Sequence, residues 1–210
     1  MPTLLHIIAN PRPRGESRSL RVADALLDGW RSAHADGAVV EFNLFDEDLP
    51  MVDATGVNSR IHQFMGQDLR GDEKRRFDRF MRFIEPLLAC DALVVTTPMW
   101  NFGPPWKLKQ WLDTVIQARV TFEYTASGPN GLVPCAAAAV VGSRGGMYPD
   151  DGDPRETMDY LTTYLRAALR WMGISDVRTC FADGVDAKRD EAEAILTDAE
   201  ARARAIGSAM

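Results

Sequence analysis

Apolar residues in this chain fall into short unbroken runs, separated by longer stretches where they recur every three or four positions. The runs Leu4–Ala9, Ala38–Leu44, Ala92–Thr97, Ala136–Gly142 and Ser175–Ala182 are bounded, as strands buried on both faces should be. Helical patterns lie between most of them. Leu20, Ala23, Leu27 and Trp30 mark one face of a helix running to about His34, with Ser17 or Ser19 placed to cap it. Phe77, Phe80, Met81, Ile84, Leu87 and Leu88 mark a second helix after Asp72, where Pro86 removes a donor and predicts a kink. Leu108, Trp111, Leu112 and Val115 follow Pro104 and Pro105, whose fixed φ suits a first helical turn. Asp153-Pro154-Arg155-Glu156 is a helix start, with Met158, Leu161, Leu165, Leu169 and Met172 as the expected buried stripe and Gly173 as the stop. A last helix spans about Ala187 to Ile206.

This alternation predicts an α/β fold: a doubly wound five-stranded parallel sheet of order 2-1-3-4-5 with helices on both faces, in one domain over residues 1–210. Two insertions interrupt it, Asp46–Gly71 after the second strand and Val120–Val133 before the fourth. The latter reads as a hairpin, with Thr121 to Thr125 alternating and Gly128-Pro129-Asn130-Gly131 turning.

At 210 residues the chain can bury a sizeable core without disulfides or a structural metal. With 24 Lys and Arg against 30 Asp and Glu, a net charge of −6 gives no basic footprint, so nucleic acid is not expected as a partner. Lys74, Arg75, Arg76, Arg79 and Arg82 read as a solvated helix face. Cys90, Cys135 and Cys180 are odd in number and widely spaced, which fits a reducing compartment. The first apolar run is too short for a signal or a membrane span, so a soluble, cytoplasmic protein with no membrane association is expected.

Three loops at the carboxyl ends of strands have unusual content. In a 2-1-3-4-5 sheet the ligand crevice lies between strands 1 and 3, so the loops Asn10–Ser19 and Pro98–Pro105 should face each other across it. Ser17, Arg18 and Ser19 place hydroxyls, a guanidinium and free amides at a helix amino end, an arrangement that holds phosphate and equally one that only caps the helix. Trp100, Asn101 and Phe102 suit a flat ring with polar edges, or a loop packed onto the core. Ser143-Arg144-Gly145-Gly146 permits close backbone approach to a ligand, or is a plain turn. His6, His34 and His62 are scattered, and neither a nucleophile with its base nor a metal cluster is visible; the chemistry is then expected to belong to a bound cofactor.

Pro98-Met99-Trp100-Asn101-Phe102 with Leu108-Lys109 and Leu112-Asp113, then Val120-Thr121-Phe122, Tyr124-Thr125, Gly128-Pro129 and Gly131-Leu132, then Ser143-Arg144-Gly145-Gly146, resemble the flavodoxin-like, FMN-dependent NADH:quinone oxidoreductases known as azoreductases. The resemblance covers nearly the whole chain. It implies a homodimer with FMN at the interface, reduced by NADH or NADPH and reoxidised by quinones, azo compounds or nitroaromatics in a two-electron ping-pong cycle. It also implies that Ser17, Arg18 and Ser19 hold the FMN phosphate, that Pro98, Met99, Trp100, Asn101 and Phe102 line its ring and ribityl chain, and that Ser143, Arg144, Gly145 and Gly146 meet its pyrimidine edge. Trp100, Phe102, Tyr124 and Trp171 would line the substrate site, the last two by reaching into the partner's pocket. Asn10-Pro11 stands where the family commonly has a serine, which leaves Arg12 or Arg14 to compensate for one phosphate hydrogen bond. Trp100 stands where tyrosine is frequent. A flavodoxin-type electron carrier serving a protein partner is the alternative; the Tyr124 hairpin and Trp171 favour the enzyme.

Overall fold

The structure, a computed structural model, describes residues 1–148 and 158–210. Five runs of apolar and β-branched residues form the strands β1 (Thr3–Ile8), β2 (Ala38–Asn43), β3 (Ala92–Thr96), β6 (Ala137–Arg144) and β7 (Asp176–Asp183) of one parallel sheet, in the order β2-β1-β3-β6-β7. This is the expected 2-1-3-4-5 order once the hairpin strands β4 (Phe122–Thr125) and β5 (Gly128–Gly131) are counted. Ile8 is level with Thr96 and Thr96 with Val141, so β1 and β3 end side by side while β6 runs on to Arg144, and the loops leave from one edge of the sheet.

Helices α1 (Arg18–Ala33) and α6 (Ala192–Ser208) cover one face, where Val22, Leu26, Trp30, Ala199 and Ala203 pack on Leu4, Val94 and Val141. The two helices touch through glycine: a Cβ on Gly207 would lie 2.0 Å from the Leu26 carbonyl oxygen, so any side chain there would separate them. The other face carries α3 (Gly71–Ala89), α4 (Trp106–Val115) and α5 (Tyr160–Trp171), with Phe80, Ile84, Leu108, Trp111 and Leu165 on Leu5, Ile7 and Val140. Helix α1 ends at His34 as the sequence predicts, and Pro86 lies within α3, which continues to Ala89.

The structure adds detail to the insertions and corrects the expected hairpin turn and the expected role of Met158. The insertion 46–71 contains a helix, α2 (Ala54–Met65), capped by Asp53 Oδ1 accepting from the Gly56 N–H at 2.9 Å and ended by Gly66 at φ 71°. The hairpin turns at Ala126 and Ser127, because Gly128–Gly131 is itself the second strand and pairs Thr125 with Gly128. The arginine face of α3 is largely solvated, as expected, and Arg76, Arg79 and Arg82 also pair with Asp53, Asp48 and Glu47 of the insertion at 2.6–2.8 Å. Met158 is exposed, with a φ of 57°, and does not join the buried stripe; Asp159 caps α5 instead, accepting from the Thr162 N–H. The start expected at Asp153 lies outside the described residues. Helix α6 begins five residues after the expected Ala187, behind a 3-10 turn over Arg189–Glu191.

Candidate functional site

The loops after β1, β3, β6 and β7 converge on a cleft of about 230 Å³. Its polar end is the start of α1. Ser17 Oγ accepts from the Leu20 N–H at 3.2 Å and from Asn10 Nδ2 at 2.8 Å. Those two bonds occupy both lone pairs of the hydroxyl, so its O–H remains to donate. The Arg18 and Ser19 amides belong to the first helical turn and have no partner within the helix. Asn10 is 4 % exposed and serves the site through Ser17. Of the two arginines expected to compensate there, Arg12 lines the cleft, whereas Arg14 is held by Asp24 and Glu41.

Ser19 accepts the Ser143 N–H at 3.1 Å, and the two hydroxyls lie 3.0 Å apart, which ties α1 to the end of β6. Pro98, Met99 and Trp100 form the opposite wall, at the end of β3. Beyond them the chain makes a two-residue turn. The amides of Trp100 and Gly103 bond each other's carbonyls, and Asn101 and Phe102 sit at φ 46° and 70°, as a type I′ turn requires. A non-glycine pair in this region is strained, and the turn holds Trp100 where it also lines an adjoining groove of about 850 Å³ with Asn101, Pro105, Trp106, Tyr160 and Tyr164. A narrow, donor-rich cleft and a wide, aromatic-lined groove thus share Trp100 as a wall.

Gly145 lines the cleft, and a Cβ there would meet Asp186 Oδ2 at 2.7 Å. Arg144 turns the other way. Its side chain is 1 % exposed, bonded to Asp183 and, at 2.6 Å, to Asp159, and its guanidinium lies over the Phe181 ring at 4.2 Å. Burial works against its charge, but the Asp183 and Asp159 carboxylates outweigh it and hold the guanidinium ionised. Gly146 and Phe102 also stand outside the cleft wall.

His6, fully buried in β1, is kept neutral by desolvation. Its Nδ1–H donates to Glu41 Oε1 at 2.9 Å and its Nε2 accepts from Thr96 Oγ1 at 2.7 Å, an assignment forced by the carboxylate's having only acceptors. The His6 bond, with Arg14 beside it, pulls the Glu41 carboxyl down to about 2 despite partial burial. The network therefore joins the phosphate-type loop to the end of β3.

Tyr124 and Trp171 do not reach this cleft. They form an aromatic cluster with Phe122 and Phe64 at centroid distances of 5.4–6.3 Å, facing outward on the hairpin, α2 and α5. Ser17, Arg18, Ser19, Pro98, Met99, Trp100, Ser143 and Gly145 are thus brought together, and Asn101 joins them through the adjoining groove. Sequence reasoning missed Val185 and Asp186, which close the cleft from the loop after β7; no local signal marks residues that act from so far along the chain.

The cleft's donors fit the phosphate of FMN: hydroxyls, first-turn amides and a guanidinium at one end, aromatic walls at the other. A family model described as the flavodoxin-like fold matches residues 2–206. An FMN-dependent NADH:quinone oxidoreductase of Nitratidesulfovibrio vulgaris is 35 % identical over 201 residues, covering 91 % of this chain and 95 % of that protein. FMN-dependent NADH:quinone oxidoreductase 1 of Listeria monocytogenes is 34 % identical, covering 94 % of each. Among solved structures, an azoreductase from Bacillus anthracis superposes with a TM-score of 0.90 at 28 % identity over the whole of both chains. An FMN-dependent NADH-azoreductase of the same species, in complex with FMN, gives 0.83 at 27 % identity over 99 % of this chain and all of the other.

Proposed function

The chain belongs to the flavodoxin-like family of FMN-dependent NADH:quinone oxidoreductases, and from that membership we propose that it is an FMN-dependent NAD(P)H:quinone oxidoreductase and azoreductase. When bound, FMN supplies two-electron hydride chemistry between a reduced nicotinamide and a quinone, azo or nitroaromatic acceptor, in ping-pong order. The observation that carries this reading is the cleft itself, which gathers the α1 donors and shares Trp100 with an adjoining aromatic-lined groove.

Ser17, Arg18 and Ser19 hold the phosphate by O–H, N–H and guanidinium donation. Pro98, Met99, Trp100, Asn101 and Phe102 position and shield the ring, excluding water from one side. Gly145 presents its backbone amide, and Ser143 its hydroxyl, to the pyrimidine edge, where donors stabilise negative charge as it develops, and Gly146 supports that loop from outside the cleft. Arg144 fixes that loop from behind through Asp183 and Asp159.

The protein is a homodimer with its sites at the interface and small quinone or azo acceptors as substrates. An outward apolar face supports this, with Met51, Phe64, Met65 and Tyr124 each about half exposed or more. Covering that face would bring Tyr124 and Trp171 to the partner's site, where they line the acceptor pocket with Trp100 and Phe102. Residues 1–210 act as one FMN-binding domain in the cytoplasm; among the described residues no helix is long and apolar enough to cross a membrane.

The test is an anaerobic absorbance scan of the FMN-supplemented protein before and after NADH and then a benzoquinone. Bleaching of the flavin band by NADH and its return with quinone are expected. A bound flavin that NADH does not bleach would overturn the enzyme reading in favour of an electron carrier.

A further inference from the structure

Two guanidinium groups face the polar end of the cleft, Arg12 and Arg18, and each already meets a carboxylate. Arg12 lies 3.9 Å from Glu16, and Arg18 Nη1 bonds Asp186 Oδ1 at 2.9 Å. Asp186 itself lines the cleft beside Ser17, Ser19 and Gly145. Its position is built by backbone bonds. Asp186 and Ala187 donate N–H to the Gly145 carbonyl at 3.2 and 3.0 Å, and Gly184, at φ 83°, donates to the Arg144 and Gly146 carbonyls at 3.0 and 2.8 Å. The loop after β7 is thereby fastened to the loop after β6, and the carboxylate is held at the rim where the phosphate donors converge. Arg14, the third arginine of this loop, is engaged by Asp24 and Glu41 and adds no free charge.

A phosphomonoester carries about −1.5 to −2 charges at pH 7. A fixed carboxylate beside its donors repels it and competes with it for Arg18, whereas an uncharged ribityl alcohol feels neither effect. Building on the FMN reading above, we propose that Asp186 sets how strongly this site prefers FMN over unphosphorylated riboflavin, by holding Arg18 and opposing the phosphate. Asp186 acts as a brake on cofactor affinity and is a specificity residue through its pairing with Arg18.

The test is a fluorescence-quenching titration of flavin-stripped full-length protein with FMN and with riboflavin, at low and high salt, for the wild type, Asp186→Asn and Asp186→Glu. Asp186→Asn is expected to tighten FMN binding about five-fold, the scale of one removed like charge at a solvated site, while riboflavin stays within about two-fold. It should also make FMN binding more salt-sensitive, because Arg18 then meets the phosphate unneutralised, and Asp186→Glu should restore the wild-type selectivity. An unchanged or weakened FMN affinity in Asp186→Asn would overturn the proposal and make Asp186 an orienter of Arg18. Parallel shifts for both flavins would overturn it as well, since they would report only a change in loop structure. Wild-type protein that quenches neither flavin would remove the FMN reading, and this proposal with it.

Discussion

Arg144→Met separates a structural anchor from a cofactor ligand. The guanidinium sits between Asp183, whose side chain is 23 % exposed, and Asp159, 7 % exposed, and also reaches Thr162 Oγ1 at 3.3 Å and the Tyr148 carbonyl at 3.2 Å. Methionine keeps most of the volume against Phe181 but removes the cation these carboxylates share. Removing one partner of a buried ion pair costs about 3–5 kcal/mol, and the partial exposure of Asp183 places this case near the lower end, at about 3 kcal/mol. For a chain of this size each kcal/mol moves the melting temperature by about 2–4 °C, so a fall of about 6–12 °C is expected. Urea and thermal melts of the FMN-free protein measure this. An FMN titration of the folded variant should show a loss of affinity below about ten-fold, roughly 1.4 kcal/mol, because the side chain faces away from the cleft. A variant with wild-type stability but FMN affinity lowered a hundred-fold or more would refute the reasoning and return the guanidinium to the cofactor.

Stability should fall as pH drops below about 6.5, the ordinary histidine value, because buried His6 resists the proton that the unfolded chain accepts; Glu41 adds to the loss between its ordinary value near 4.5 and about 2. Urea midpoints between pH 7.5 and 5 would measure the slope, and an equal slope in His6→Gln would remove His6 as its source. At position 102 the usual order of alanine over glycine should invert: with φ at 70°, Phe102→Gly should be more stable than Phe102→Ala by about 1 kcal/mol. Paired thermal melts decide this, and alanine equal to or above glycine would mean that the turn does not hold its positive φ in solution.

The sheet was legible because its strands are buried on both faces, so each appears as an apolar run, and order 2-1-3-4-5 follows from alternation with helices. Helix α2 was not, for the opposite reason. Its apolar residues Val57, Ile61, Phe64 and Met65 are exposed, so they mark no core-facing stripe, and the signals that identify it are the Asp53 cap and Gly66 stop. Gly128-Pro129-Asn130-Gly131 has turn residues yet forms a strand. A Cβ on Gly131 would lie 2.0 Å from the Gly173 nitrogen, so that glycine is needed for close approach to the end of α5 and not for turning. Ser17 reads in the sequence as either cap or ligand; the structure shows the cap, through the Leu20 bond, and Asn10 takes the remaining lone pair so that the hydroxyl proton is left to donate.

The parts of the site that sequence could reveal are those carried by single loops, and the parts it could not are the couplings between loops. Asn10 matters through Ser17, His6 through Glu41 and Thr96, Arg144 through Asp159, and Asp186 through Arg18 across 168 positions of chain. Each pair exists only because parallel strands deliver their loops to one edge of the sheet. The same geometry explains the position of Asp186. The loop that must be fastened to Gly145 to shape the cleft carries its own side chains to the rim, so the fold that gathers phosphate donors there also places a carboxylate among them. On the proposal above, affinity for the cofactor would follow the balance of charges along that edge, a quantity that no single motif contains.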